Sequence, residues 1–218
     1  MYKTTALLVL ASASPRRREL LGRLGLEFKV RPGNGEDGSA IAGQPAAVAR
    51  EWARRKAIGV AGSPRAPRDA WYLGVDTIVV IGDEVLGKPG SRNEARKFLG
   101  KLAGNWHTVV SGYCLHHPAT GRTMVRAVRS RVKIKALTRA EVEAYIATDE
   151  PYDKAGAYAV QGIGAFMVEA IAGSYTNVMG LPLTEVVDDL KRLGVIEVIR
   201  EGDRGERNRQ PGPRKRSD

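Results

Sequence analysis

Two stretches of this chain gather side chains able to handle a phosphorylated ligand. In the first, Ser12-Ala13-Ser14-Pro15-Arg16-Arg17-Arg18 follows an apolar run, Leu7 to Leu10, and precedes Leu20, Leu21 and Leu24 at helical spacing. The pattern predicts strand, tight loop and helix. Pro15 suits the first helical turn, where its missing N–H is no loss, and Ser14 is placed to cap the free amides there. A helix start of this kind is electropositive, and planar guanidinium forks match phosphate oxygens in pairs, so the turn fits a polyphosphate. It fits equally a capped surface helix with a solvated basic turn.

The second stretch is Trp71 to Ile81, an apolar, β-branched run that predicts a buried strand yet holds Asp76 and Thr77 at its centre. Burying a carboxylate is costly unless it is paired, hydrogen-bonded or close to a cation. Asp76 is therefore either satisfied structurally or faces a cleft as a base or metal ligand, and perturbed carboxylates cluster at functional sites. Beyond the hairpin turn Gly82-Asp83-Glu84, a tight return brings Lys88 to the end of the sheet that carries Asp76.

Other segments must position these groups. A long helix is predicted from Pro45 to Val60, with Lys56 on its apolar side, four residues after Trp52; it either snorkels to water or touches a ligand. Short strands are expected at Leu26 to Val30 and Ala165 to Ile171, and longer ones at His107 to His117 and Thr123 to Ala136. Helices are expected at Asn93 to Leu102, at Thr138 to Thr148 with a Thr138/Glu141 capping box, and from Pro182 to Leu193. Between them lies a dense polar patch, Asp149 to Gly162, in which Asp153, Lys154 and Gln161 sit among glycines; loops on rigid scaffolds often carry binding groups. A glycine-bounded loop follows at Gly173 to Gly180. His107 opens a strand with no second histidine at metal-ligand spacing, which favours a structural role. No HExxH, CxxC or P-loop pattern occurs.

Composition narrows the classes. A length of 218 residues, 43% hydrophobic and 27% charged, describes one generous domain or two small lobes around a real core. No apolar run approaches a membrane span and no leader pattern opens the chain, so a cytoplasmic location is expected. The single cysteine, Cys114, reads as a packed thiol. Net charge is +11, of which residues 200–218 supply +3 and the body +8. Such a body suits nucleic acid, a highly charged small anion, or neither. Aromatics make up only 6%, and no run interleaves them with basic residues as a stacking platform would. The folded unit is expected to end at 199, followed by a disordered basic tail.

Taken together, the segments resemble the Maf proteins, nucleotide pyrophosphatases that cut nucleoside triphosphates to the monophosphate and pyrophosphate. Ser12 to Arg17 resembles the family's SxSPRR signature, Gly74-Val75-Asp76-Thr77 its GxDT strand, and Gly87-Lys88-Pro89 the KP that follows. Gly104 to Gly112 resembles GxxHxVxTG, Glu150 to Tyr158 resembles EPxDKAGAY, and Gly180-Leu181-Pro182 its GLP. Six motifs in order, over residues 7 to 195, make the resemblance specific.

The resemblance implies an α/β fold of the Maf/ITPase-like kind, a mixed twisted sheet wrapped by helices, with two lobes and a central cleft. It implies that Asp76 is the general base for the attacking water, that Ser12, Ser14, Arg16, Arg17, Lys56 and Lys88 hold the triphosphate, and that Mg²⁺ or Mn²⁺ spreads the charge on the leaving pyrophosphate. Asp76 and either Glu36 or Asp37 would hold the cation, and Asp153 and Lys154 are further cleft candidates. Arg16, Thr77 and Gln161 match the subgroup acting on dTTP and UTP, and a glutamine amide can pair with the pyrimidine O4 and N3–H edge. The alternatives are a pyrophosphatase for 7-methyl-GTP or another modified nucleotide, and a non-catalytic nucleic-acid-binding module. Two departures stand out: Ser111 where the family usually has Thr, and Asp37 where it usually has Glu. Expected partners are the small nucleotide, no membrane, nucleic acid at most weakly through the tail, and a possible homodimer.

Overall fold

The computed structural model describes residues 1–33 and 43–199. In chain order the elements are β1 (Tyr2–Thr4), β2 (Leu8–Ala11), α1 (Pro15–Gly22), β3 (Lys29–Val30), α2 (Pro45–Ala61), β4 (Trp71–Ile81), β5 (Glu84–Leu86), α3 (Arg92–Leu102), β6 (Trp106–His116), β7 (Thr123–Ile134) and α4 (Arg139–Ile146). Short 3₁₀ turns at Glu150–Asp153, Ala155–Ala157 and Ile163–Met167 lead to β8 (Val168–Ala172), α5 (Tyr175–Val178), α6 (Leu183–Arg192) and β9 (Ile196–Val198).

One mixed, seven-stranded sheet dominates, in the order β3-β2-β4-β6-β7-β8, with β5 also paired to β4. β2 runs parallel to β3 and β4, while the remaining pairs are antiparallel. A feature of β4 decides where a ligand can enter. On one edge β6 pairs with it from Tyr72 to Val80. On the other edge β2 stops opposite Gly74 and β5 begins opposite Val79. Residues 75–78 therefore have a strand on one side only, among the described residues.

Strand alternation gives the two faces different cores. On one face, Leu73, Val75, Tyr113 and Leu115 pack with Leu21 of α1 and Val186 and Leu190 of α6. Further along that face, Val79, Val109 and Val132 pack with Leu99 of α3 and Tyr145 and Ile146 of α4. Between these two cores lies the Thr77–Ser111 pair, so the apolar packing is interrupted beside the open edge. This is the physical form of the two lobes and central cleft. The opposite face is covered by α2, whose Ala53, Ala57 and Val60 pack on Val9, Tyr72 and the buried Cys114. Burial pushes that thiol up to about 12, in keeping with a packed, unreactive sulfur.

α2 can lie so close because the strands beneath it carry glycine. A Cβ on Gly74 would meet the backbone of Ala53 and Ala57, and one on Gly112 would meet Ala49 and stand 2.6 Å from Arg50 N.

Several local expectations need correction. The run Ala165 to Ile171 is not a continuous strand: Ile163–Met167 winds as a 3₁₀ turn and the strand is Val168–Ala172. The cause is Glu150, whose carboxylate accepts the N–H of Ile163 and of Gly164 and holds the segment bent. The Leu26 to Val30 strand shrinks to Lys29–Val30. Pro182 caps the last helix rather than starting it. Ser14 occupies the N-cap of α1, but its hydroxyl makes no capping bond. Thr138 and Glu141 do form the reciprocal capping box. β1 and β9 pair as a separate two-stranded sheet that periodicity did not reveal. The tail, residues 200–218, lies outside the described residues.

Candidate active site

The open edge of β4 leads into a cleft of about 1020 Å³, at the upper limit of small-molecule sites. It collects candidates from widely separated segments. Ser12, Ser14, Arg16 and Arg17 come from the turn into α1, Lys56 from α2, and Asp76 and Thr77 from β4. Lys88 follows β5, and Asp153, Lys154 and Gln161 come from the polar patch. Glu36 and Asp37 lie outside the described residues.

Asp76 points to the α2 face, in register with Gly112. Lys56, one turn beyond Trp52, donates from Nζ to Asp76 Oδ1 at 2.7 Å, with each side chain 13% exposed. The lysine on the apolar side of α2 thus meets a carboxylate rather than snorkelling to bulk water. Asp76 Oδ2 accepts from no described residue, leaving one oxygen for an incoming proton donor or cation.

Arg17 behaves differently from the phosphate fork expected of it. Its Nε donates to Gly180 O at 2.9 Å, Nη1 to Ser12 Oγ at 3.0 Å and Val75 O at 2.9 Å, and Nη2 to Thr77 Oγ1 at 3.2 Å. Most of its donors are committed to protein acceptors. Burial lowers its pKa to about 10 against the raising influence of Asp76, so it stays cationic at neutral pH. Here it ties α1, the open edge of β4 and the Gly180 loop together. The Val75 carbonyl, which no strand reaches on that side, is one of the groups it satisfies.

Thr77 is similarly engaged. Its hydroxyl lies 2.9 Å from Ser111 Oγ and 3.3 Å from Gly180 O, besides accepting from Arg17. Ser111 in turn donates to Asn177 O, so the serine standing where threonine is usual makes the hydroxyl contacts available to it.

Arg16 faces Asp153 at 3.7 Å across the cleft mouth. Lys154 Nζ donates to Glu150 O at 2.7 Å and also to Asp153. Ser14 N–H donates to Ser12 Oγ at 3.3 Å, and with no side-chain cap the first turn of α1 keeps its amides for another acceptor. Gly156 N–H donates to Gly87 O at 2.9 Å and fixes the Lys88 segment against the Ala155–Ala157 turn. That turn needs the left-handed Gly156, φ 73°, whose hydrogen approaches Val79.

Sequence reasoning missed some of the cleft. Trp52, whose spacing suits the apolar side of α2, lines the cleft, with Arg55 stacked on its ring at 5.2 Å. Val178, Met179 and Gly180 also line it. Glycines at both ends mark their loop in the sequence without indicating a role; Asn177, fully buried and bonded to Val109 O and Ser130 Oγ, anchors it. His107 is structural: it is buried against Tyr158, Nε2 to Oη 2.7 Å. Glu150 is spent on Tyr145 Oη and the two amides of the following turn.

The chemistry available is a carboxylate with a free oxygen, a lysine beside it, and several cations around an uncapped helix start, all in one cleft. A family model described as Maf-like protein matches residues 7–193, nearly all of the described chain. The chain belongs to the Maf family. It is 47% identical over 192 residues to the dTTP/UTP pyrophosphatase of Syntrophotalea carbinolica, covering 88% of this chain and 87% of that one. It is 46% identical over 197 residues to the dTTP/UTP pyrophosphatase of Geotalea uraniireducens, covering 90% of this chain and 100% of that one. A solved structure of a HAM1 protein from Coxiella burnetii overlays with a TM-score of 0.48 at 16% identity, covering 86% of this chain and 100% of its own. No helix among the described residues of this Maf protein is long and apolar enough to cross a membrane.

Proposed function

We propose that this Maf protein hydrolyses nucleoside triphosphates, dTTP and UTP foremost, to the nucleoside monophosphate and pyrophosphate. The observation that carries the reading is the Asp76 carboxylate at the unpaired edge of β4, facing the same cleft as the α1 turn. Asp76 takes the proton of the attacking water on its free oxygen, while Lys56 holds the other oxygen in place. The open amides of α1, with Arg16, Lys88 and Lys154, bind the phosphate oxygens and bear the charge that grows on the leaving pyrophosphate. Ser12 and Arg17 shape the phosphate-binding turn and add one fixed positive charge beneath it. Gln161, which lines the cleft, reads the pyrimidine edge through its amide.

The donor set also bears on a cation. Among the described residues no group of three or more His, Cys, Asp or Glu gathers as a ligand cage. One carboxylate with a free oxygen fits Mg²⁺ or Mn²⁺ carried in largely by substrate phosphates, with Asp76 as protein ligand and Glu36 or Asp37 as the second carboxylate. Such a cation would neutralise charge on the pyrophosphate as it departs.

The test is pyrophosphate release across a panel of nucleoside triphosphates with Mg²⁺ or Mn²⁺, run on wild type and Asp76→Asn. dTTP and UTP should lead the panel, and the variant should lose turnover. Equal background hydrolysis by both proteins would refute the assignment. Gln161→Glu tests the base reading, with turnover of dTTP and UTP falling relative to guanine nucleotides.

A further inference from the structure

α2 crosses the sheet above Gly74 and Gly112, and its first turn ends against Ile78, Val80 and Val110. The same face of the sheet continues past that point. In register order its next pairs are Val110 with Arg129, Thr108 with Arg131, and Trp106 with Lys133. On the far side of β7, Ala172 lies opposite Arg131 and Ala170 opposite Lys133, so β8 adds only methyl groups to the surface. Among the described residues no element lies over this part of the face, and Arg129 and Arg131 are exposed. Trp106 keeps 39% of its surface in water, with the Arg131 guanidinium 4.8 Å from its ring centroid.

Three cations at alternate positions of one strand form a straight row, about 6.7 Å apart from one to the next. None of the three forms an ion pair among the described residues; Glu169, the acid on β8, pairs with none of them. Lys133 Nζ gives one hydrogen bond, to Gly104 O at 2.6 Å. A line of unpaired like charges beside an exposed indole suits a partner that repeats negative charge along a chain and offers flat rings. An acidic peptide would supply the charge without the rings.

We propose that this bare face, apart from the nucleotide cleft, docks single-stranded nucleic acid. The phosphates follow Arg129, Arg131 and Lys133, and a base stacks on the Trp106–Arg131 pair. The notion that no aromatic is interleaved with basic residues holds along the chain but not in space, because β6 and β7 bring Trp106 beside cations more than twenty residues later.

The experiment measures fluorescence anisotropy of a labelled oligo(dA) with the full chain over a salt series, comparing wild type with R129S/R131S/K133S. Wild-type affinity should fall with salt, and the variant should bind more weakly with a log–log slope shallower by about 2, the value for three single-strand phosphates. Trp106→Ala should weaken binding by about fivefold or more without changing the slope. Turnover of dTTP, measured in parallel, should be unchanged. If the triple variant loses turnover, the single variants Arg129→Ser and Arg131→Ser carry the test, each lowering the slope by a fraction. The proposal is overturned if wild type shows no salt-dependent binding, if the substitutions leave affinity and slope unchanged, or if poly-glutamate competes as well as oligo(dA) at equal charge.

Discussion

Lys56 Nζ and Asp76 Oδ1 meet at 2.7 Å across the seam between α2 and β4. The contact joins a side chain on a helix to one on an unpaired strand edge, so the orientation of the carboxylate depends on how the helix is seated. Removing the charge at Asp76 should cost turnover, not fold. Asp76→Asn is expected to lower kcat for dTTP by about 10²–10⁴-fold, the usual worth of a positioned general base, with an unchanged circular dichroism spectrum. Lys56→Gln should reduce kcat less, because the carboxylate survives but loses its anchor.

The seating of α2 can be tested without touching either residue. Gly112→Ala places a methyl group against the backbone at Ala49 and Arg50, which must move. Overpacking of this kind costs about 1–3 kcal/mol, or a Tm lower by about 2–12 °C for a chain of this size. Because Lys56 rides on the same helix, kcat should drop along with Tm. A variant that keeps full kcat at a lowered Tm would show that the Lys56–Asp76 contact tolerates displacement of α2.

Arg17 offers a sharper contrast. Its guanidinium bonds to Ser12, Val75, Thr77 and Gly180. Lysine keeps the charge but cannot reach four acceptors in a fork. Arg17→Lys should therefore lower the Tm by several degrees and reduce kcat, since stranded buried acceptors are costly. A phosphate ligand lying at the surface would behave otherwise, raising KM at constant Tm.

His107 gives a pH prediction. Burial lowers its pKa to about 4 from an ordinary 6.5. Between those values the unfolded chain holds the proton and the folded chain does not, so stability must fall as pH is lowered through that window. By pH 5 the loss amounts to about 2 kcal/mol. Urea unfolding at pH 7 and pH 5 should show this difference, and His107→Gln should remove most of it. Slope that remains above pH 5 belongs to His116, which burial and neighbouring His117 also lower, and to carboxylates held below their ordinary range, such as Glu51 beside Arg54 and Glu141 beside Lys135.

The parts of the site readable in the sequence are those where residue type conflicts with its setting. Asp76 in a greasy strand and Lys56 on an apolar helical stripe each break the local pattern, and the fold resolves both by putting them in contact. Arg17 was legible as a cation but not as a strut, because two of its acceptors are backbone carbonyls from β4 and the Gly180 loop. Ala165 to Met167 is apolar enough to pass for the start of a strand; the side chain that bends this turn, Glu150, lies more than ten residues earlier. The β1–β9 pairing joins the two ends of the described chain, and no local signal reports so distant a partner.

The interrupted flank of β4 has one more implication. A bare sheet margin is a hazard in most proteins, since it invites a neighbouring molecule to add a strand and start aggregation. On this flank of β4 the unpaired span, among the described residues, is 75–78, and Arg17 already donates to the Val75 carbonyl. If the guanidinium that braces the cleft also shields this margin, loss of Arg17 should promote self-association, read as light scattering on concentration, as well as lower turnover.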